Sequence, residues 1–201
     1  MARKKRDTSK KRESILDAAL EGFIAEGYEH ASMDRIAEIA GASKRTVYNH
    51  FSSKEELFLE VVGRMFDEAY ELKQIPYDPD RELDEQLTEF VDAKIAVAQI
   101  PGWMGMMKNF FSLSGSNPEL IRQVMTQVEA EEDTLATWFE AAAADGRVEI
   151  PDAKMVSALF WAMVGGVFFW PLLMSGPIKQ KQAKLMKSEI VRLFLNSYSS
   201  E

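Results

Sequence analysis

The chain has 201 residues, a 46% hydrophobic content and a net charge of −8, enough apolar matter for one or two packed domains. It contains no cysteine and only two histidines, His30 and His50, which excludes disulfides, thiolate metal sites and cysteine nucleophiles and leaves the C-terminal three-quarters without a zinc ligand set or a Ser-His-Asp triad. Residues 1–54 carry 11 Lys+Arg against 8 Asp+Glu, while the other 147 carry 13 against 24. That asymmetry points to one nucleic-acid face on an acidic body.

Residues 1–12, MARKKRDTSKKR, hold seven bases and one acid. They read as a solvated basic arm able to add phosphate or minor-groove contacts. Their charge leaves no secretory signal visible, so a cytoplasmic protein is expected. Thr8 or Ser9 can cap a helix to about Glu26 with Ile15, Leu16, Ala19, Leu20 and Phe23 inward and Gly27 at its end. Ser32 caps a short helix carrying Ile36 and Ala37, which Gly41 closes.

Ser43 is the next N-cap, and the helix after it turns Val47 and Phe51 inward. Lys44, Arg45, Thr46, Tyr48, Asn49 and His50 lead or face outward. A short helix exposing so many hydrogen-bonding groups suits the major groove, where base edges carry a distinct donor and acceptor code. Ser53 and Glu56 have capping-box spacing and start another helix. Lys54 in its first turn opposes the helix dipole unless an anion, such as a phosphate, sits there.

The stretch GYEHASMDRIAEIAGASKRTVYNHFSSKEELFLEV resembles the DNA-binding domain of the tetracycline-repressor (TetR) family of bacterial transcription regulators, over about Arg12 to Val62. Two positions depart from that family's pattern: Ala31 stands where a threonine is usual and Ala42 where a larger aliphatic is usual. The resemblance implies an all-α protein, with an N-terminal helix-turn-helix DNA-binding domain (1–54) and a connecting helix (55–75). A C-terminal helical ligand-binding and dimerisation domain (76–201) completes it. The implied DNA contacts are Ser32, Ser43, Lys44, Arg45, Thr46, Tyr48, Asn49, His50 and Lys54. Tyr48 and Lys54 would touch phosphate, and Arg45, Thr46 and Asn49 would read bases.

The connecting helix runs from about Lys54 to Lys73 and breaks at Gln74–Asp80, where two prolines fall. From there everything reads helical: Arg81 to Gln99, a helix after Pro101, a long one from Pro118 to about Ala144, one after Pro151, and a last from about Ile178 to Tyr198. No catalytic constellation, phosphate loop, metal set or cofactor motif appears. The body is instead rich in Trp, Met and Phe between Trp103 and Met174. In the implied architecture these suggest an apolar pocket for a small lipophilic or aromatic ligand. Trp103, Met107, Phe110, Phe111, Val128, Trp138 and Phe169 are its expected lining. Lys94 and Glu132 interrupt apolar stripes and would sit at the rim or anchor a polar end.

Val156 to Met174 contains one serine and no charge over 19 residues, near the length of a membrane span. An alternative reading is therefore a membrane-anchored DNA-binding regulator using residues 156–174. An amphipathic final helix beside it favours a core element that meets a second subunit. By the resemblance the last two helices form a homodimer interface, here with Gly165, Leu185, Ile190, Leu193 and Phe194. The expected function is a ligand-released repressor bound as a dimer to a palindromic operator in double-stranded DNA, without a membrane anchor.

Overall fold

Helix-forming stretches punctuated by caps and glycines become an all-helical chain in the computed structural model, which describes residues 2–72, 74–129 and 133–200, without the side chains of residues 2–8 and 127–129. In chain order the helices are α1 (Ala2–His30), α2 (Met33–Ile39), α3 (Lys44–His50), α4 (Lys54–Glu71), α5 (Leu83–Val97) and α6 (Trp103–Ser116). Then come α7 (Pro118–Glu129), α8 (Thr134–Ala144), α9 (Ala153–Val164), a π-helical turn (Gly165–Phe169), α10 (Trp170–Ser175) and α11 (Gln180–Tyr198). They form two compact units: residues 1–68 with 101–130, and residues 69–100 with 131–201. The sequence places a domain boundary inside or just before the break at 74–80; compactness groups the chain in units that meet inside α4, with α6 and α7 beside the N-terminal helices.

In the first unit Ile15, Leu16, Ala19 and Phe23 are buried as their spacing predicts, against Ile36, Val47, Phe51, Leu57, Phe58 and Val61. α1 begins at Ala2, ahead of the expected Thr8 or Ser9 cap, and Gly27 interrupts it with φ 77°. Glycine is needed there because a Cβ clashes in that backbone region. The interruption frees the carbonyls of the last regular turn, and two side chains take them. Asn109, buried on α6, donates its amide to Phe23 O at 2.8 Å and to Gly105 O at 3.2 Å, and its Oδ1 accepts the Tyr28 N–H at 2.8 Å. Lys54 Nζ donates to Tyr28 O at 2.7 Å, Ala31 O at 3.1 Å and Glu29 O at 3.2 Å. α6 also approaches α1 closely, since a Cβ on Gly105 would lie 2.9 Å from Ile24.

The start of α4 shows how a motif is modified by its neighbour. Ser53 Oγ accepts the Glu56 N–H at 3.1 Å, one arm of the expected capping box. The return arm goes elsewhere: the Glu56 carboxylate accepts the N–H and hydroxyl of Ser52, at 2.6 and 2.5 Å. Those Ser52 donors hold the Glu56 carboxyl below its ordinary 4.5. Glu55 is lowered too, first by its own backbone N–H and also by the Tyr28 hydroxyl, which donates to it at 3.1 Å.

The second unit packs Leu87, Phe90 and Val91 of α5 with Trp138, Phe139 and Ala142 of α8, Val156, Phe160 and Val164 of α9, and Ile190, Val191 and Phe194 of α11. Gln86, fully buried, ties its loop to this core. Its Oε1 accepts the Trp138 Nε1–H at 3.0 Å and the Asp78 N–H at 2.9 Å, and its Nε2 donates to Asp78 O and Arg81 O. The single helix expected from Pro118 to Ala144 is two. Asp133 opens the second by accepting the Ala136 N–H at 3.0 Å, and it receives the Ser157 hydroxyl at 2.9 Å. An acid in a run of acids is a cap only when its tertiary neighbours place it.

The helical stretch Ala153–Ser175 has the length and mean hydropathy, 1.8, of a membrane span. One of its faces nonetheless lies in the second unit's core, through Val156, Phe160 and Val164. Two outcomes follow from these contacts. Replacing Asn109 with Ala leaves the Tyr28 N–H and Phe23 carbonyl buried without partners and should lower unfolding free energy by about 1–3 kcal/mol in urea titrations. Because Glu55 and Glu56 titrate lower folded than unfolded, their stabilisation is complete above the ordinary 4.5 and lost as pH falls through their lowered values. Thermal melts should therefore fall less steeply with acid in Glu56→Gln than in the parent.

Candidate nucleic-acid interface and ligand cleft

The reader is built from three caps. Ser32 Oγ accepts the Arg35 N–H at 3.1 Å and so opens α2. Ser43 Oγ accepts the Thr46 N–H at 3.1 Å and shares a 2.7 Å hydrogen bond with the Thr46 hydroxyl, opening α3. The end of α2 is closed from α1: Lys11 Nζ donates to Gly41 O at 3.1 Å, and Ser14 Oγ to Ala40 O at 3.4 Å. α3 has only seven residues and would not persist alone. Val47, fully buried, and Phe51 at its C-cap hold it.

Anchoring those two side chains turns the rest of α3 outward. Arg45, Asn49 and Tyr48 are exposed, Tyr48 at 44%, and Thr46 and His50 are half-buried. Among the described residues no ion pair engages Arg45. Lys44 differs: its ammonium lies 2.8 Å from the Asp34 carboxylate and 5.9 Å from the centre of the Tyr48 ring. Hydrogen bonding to Asp34 raises the Lys44 pKa above its ordinary value.

Lys54 also departs from the expectation of a waiting cation. Its carbonyl partners at the end of α1, with the Tyr28 ring 4.5 Å below it, supply the electron-rich surroundings that a phosphate was expected to supply. Burial, then Glu55, pushes the Tyr28 hydroxyl well above its ordinary range, so Tyr28 remains a donor at any physiological pH. Arg12 stacks 5.1 Å from the centre of the Phe51 ring and pairs with Glu60 at 2.5 Å. Lys11, Arg12, Lys44 and Lys54 are thus used to assemble the reader. Lys11, Asp34 and Asn109 escaped sequence reasoning because none sits in a motif; each acts through a partner far away in the chain or on another helix.

The expected ligand residues are divided between the two units. Trp103 is buried in the first unit with its ring edge on Phe66, 5.2 Å between centroids. Met107 and Phe110 of that unit are half-buried and Phe111 is exposed. The Val128 side chain and Glu132 lie outside the described residues. In the second unit Lys94 is half-buried with its ammonium 5.4 Å from the Trp161 ring centre, and Phe169 packs on Trp170 at 5.4 Å. Trp138 is buried, yet one side of it belongs to a cleft of ≈520 Å³ lined by Gln74, Ile75, Pro76, Tyr77, Thr134, Thr137, Trp138 and Ala141. That size and an aromatic wall with a few polar groups are those of small-molecule sites. Among the described residues no group of acids and histidines is arranged to hold a metal ion.

Of the expected dimer residues, Leu185 is 62% and Leu193 42% exposed, and Gly165 has open space beside it. Ile190 and Phe194 are not surface residues. They are buried within the protomer, Phe194 edge-on to Phe160 at 5.0 Å. The single apolar stripe read on α11 is two faces, one inward and one outward.

Known proteins share both the reader and the body. A family model for bacterial regulatory proteins of the tetR family matches residues 15–61, and one for the C-terminal domain of AefR-like transcriptional repressors matches residues 85–200. The HTH-type transcriptional activator FasR of Mycolicibacterium smegmatis is 51% identical over 57 residues, 28% of this chain and 26% of its own length. The HTH-type transcriptional regulator TtgW of Pseudomonas putida is 33% identical over 102 residues, 50% of this chain and 73% of its own. Matches to FasR, and to TcmR of Streptomyces glaucescens, span under a third of those relatives. A solved TetR-family regulator from Pseudomonas syringae pv. tomato superposes with a TM-score of 0.78 at 30% identity, over 96% of this chain and 98% of its own. Another from Mesorhizobium loti reaches 0.81 at 25% identity over the same shares. A reader helix held out from its core, joined to a body matched from residue 85 to 200, places the chain in the TetR family: it is a helix-turn-helix, DNA-binding transcription regulator.

Proposed function

We propose that this regulator is a repressor that grips a palindromic operator as a homodimer in the cytoplasm and lets go when a small lipophilic or aromatic ligand enters its second unit. The observation that carries the proposal is the division of labour on α3. Its apolar residues are committed to the core while Arg45, Tyr48 and Asn49 stand exposed, as a helix lying in the major groove requires. Repression is favoured by the match of residues 85–200 to a repressor family's C-terminal domain. The kinship to the activator FasR is confined to 57 residues. Dimerisation is favoured by the apolar surface on the last helices, where Leu159, Trp170, Met174, Leu185 and Leu193 are all exposed. A lone protomer seldom leaves so many large apolar side chains open together. That same surface, with the core-facing side of α9 opposite it, supports a subunit contact over a membrane anchor.

The ligand reading rests on the cleft beside Tyr77 and Trp138. Aromatic and aliphatic walls favour an apolar body, and the hydroxyls of Thr134 and Thr137 at its edge suit one polar group. A multiply charged molecule would lose its hydration there without recompense. Ligand binding would release DNA by favouring a protomer arrangement whose readers no longer match the groove spacing.

Three outcomes test these readings. Tyr48→Phe should weaken specific and random DNA alike, whereas Asn49→Ala or Arg45→Ala should relax preference at symmetric base positions in a selection experiment. Removing one bidentate hydrogen-bond pair to a base edge should cost about 1–3 kcal/mol. Leu185→Glu and Leu193→Glu should give folded monomers by light scattering, while Phe194→Glu should unfold the protomer because it charges the core; dimers in both leucine variants would reject this interface. Ala141→Trp should fill the cleft, abolishing melting shifts caused by lipophilic compounds and leaving DNA affinity unchanged. Shifts that survive it would place the ligand elsewhere.

A further inference from the structure

We infer that Asp34 sets the specificity of the reader by competing with DNA phosphate for Lys44. Asp34 lies in the first turn of α2 and Lys44 in the first turn of α3. Asp34 grips the ammonium with both oxygens, at 2.8 and 2.9 Å. Both side chains are 60% exposed, so the pair stands in solvent on the side that presents Tyr48. Solvent screening makes such a pair weak. A phosphate, with its own charge and several acceptor oxygens, can exchange for the carboxylate without unfolding anything.

Asp34 therefore satisfies the lysine that would otherwise draw in the backbone of any duplex. Arg35 on the same helix is likewise held, by Glu38 at 3.0 Å and Glu26 at 3.4 Å. With Lys11 and Lys54 on backbone carbonyls, Arg45 is the cation of α3 that no ion pair engages among the described residues. Sequence-independent affinity comes from neutralised phosphates, so a reader that hides its lysine binds random DNA poorly and depends on base contacts.

This inference rests on Lys44 being able to reach phosphate, and the experiment separates the two. A labelled duplex of scrambled sequence is titrated with the full-length protein between about 50 and about 200 mM salt, with thermal melts alongside. Asp34→Asn should bind it several-fold tighter, and its salt slope should steepen by about one counterion per subunit. Lys44→Gln should do neither. In the double variant Asp34→Asn with Lys44→Gln the gain should vanish. If the gain persists in the double variant, Asp34 acts by plain repulsion and not through Lys44, and the inference fails. Unchanged affinity and slope in Asp34→Asn overturn it as well. Weaker binding with a lowered melting temperature would show Asp34 to be only a helix-start acid. If Lys44→Gln also binds like the parent when Asp34→Asn is unchanged, Lys44 is not a phosphate contact and the reading beneath the inference fails with it.

Discussion

The first unit depends on how the broken end of α1 is held. Gly27 leaves the helix at a positive φ, and the carbonyls and amide it strands are taken by Asn109 from α6 and Lys54 from α4. Tyr28 is the common member. Its N–H goes to Asn109, its carbonyl to Lys54 and its hydroxyl to Glu55, while its ring packs edge-on against Phe58 at 5.0 Å and lies under the Lys54 ammonium. Buried backbone groups left unpaired are expensive. The three helices therefore share one solution, and none can shift without stranding a polar group of another. The reader, α2 and α3, runs from the end of α1 to the start of α4, so its position is inherited from this junction.

That junction also explains a paradox of charge. A DNA-binding unit needs cations, yet Lys11, Arg12, Lys44 and Lys54 are spent on carbonyls, a ring or carboxylates within the fold. Lysine at the end of a helix satisfies stranded carbonyls as well as it satisfies phosphate. On α3 the described outward side chains Arg45, Tyr48 and Asn49 offer hydrogen-bonding groups, which suits discrimination between base pairs.

The second unit obeys a different constraint. Gln86 is a fully buried amide that exhausts its donors and acceptors on Trp138, Asp78 and Arg81. In doing so it presses Tyr77 edge-on to Trp138, 5.7 Å between ring centres. The cleft beside these rings exists because the loop is tied down by a polar side chain while its own residues are apolar. Elsewhere in the unit, the helical run from Ala153 to Ser175 is largely apolar, and the protomer's core takes up the face carrying Val156, Phe160 and Val164.

The sequence alone was enough for everything that a short window contains. The caps at Ser32 and Ser43, the inward Val47 and Phe51 and the outward Arg45, Tyr48 and Asn49 follow from spacing within one or two turns, because capping and amphipathicity are local interactions. The helical character of the body was legible for the same reason. Only the tertiary structure decided where a side chain with two possible partners would go. Lys54 reads as a phosphate ligand until the end of α1 is brought under it, and Ile190 and Phe194 read as interface until α9 covers them. The helix start at Asp133 and the grouping of α6 with the N-terminal helices likewise depend on residues distant in the chain. Periodicity records which side of a helix is apolar, whereas the identity of the neighbour that buries it is a property of the whole packed chain.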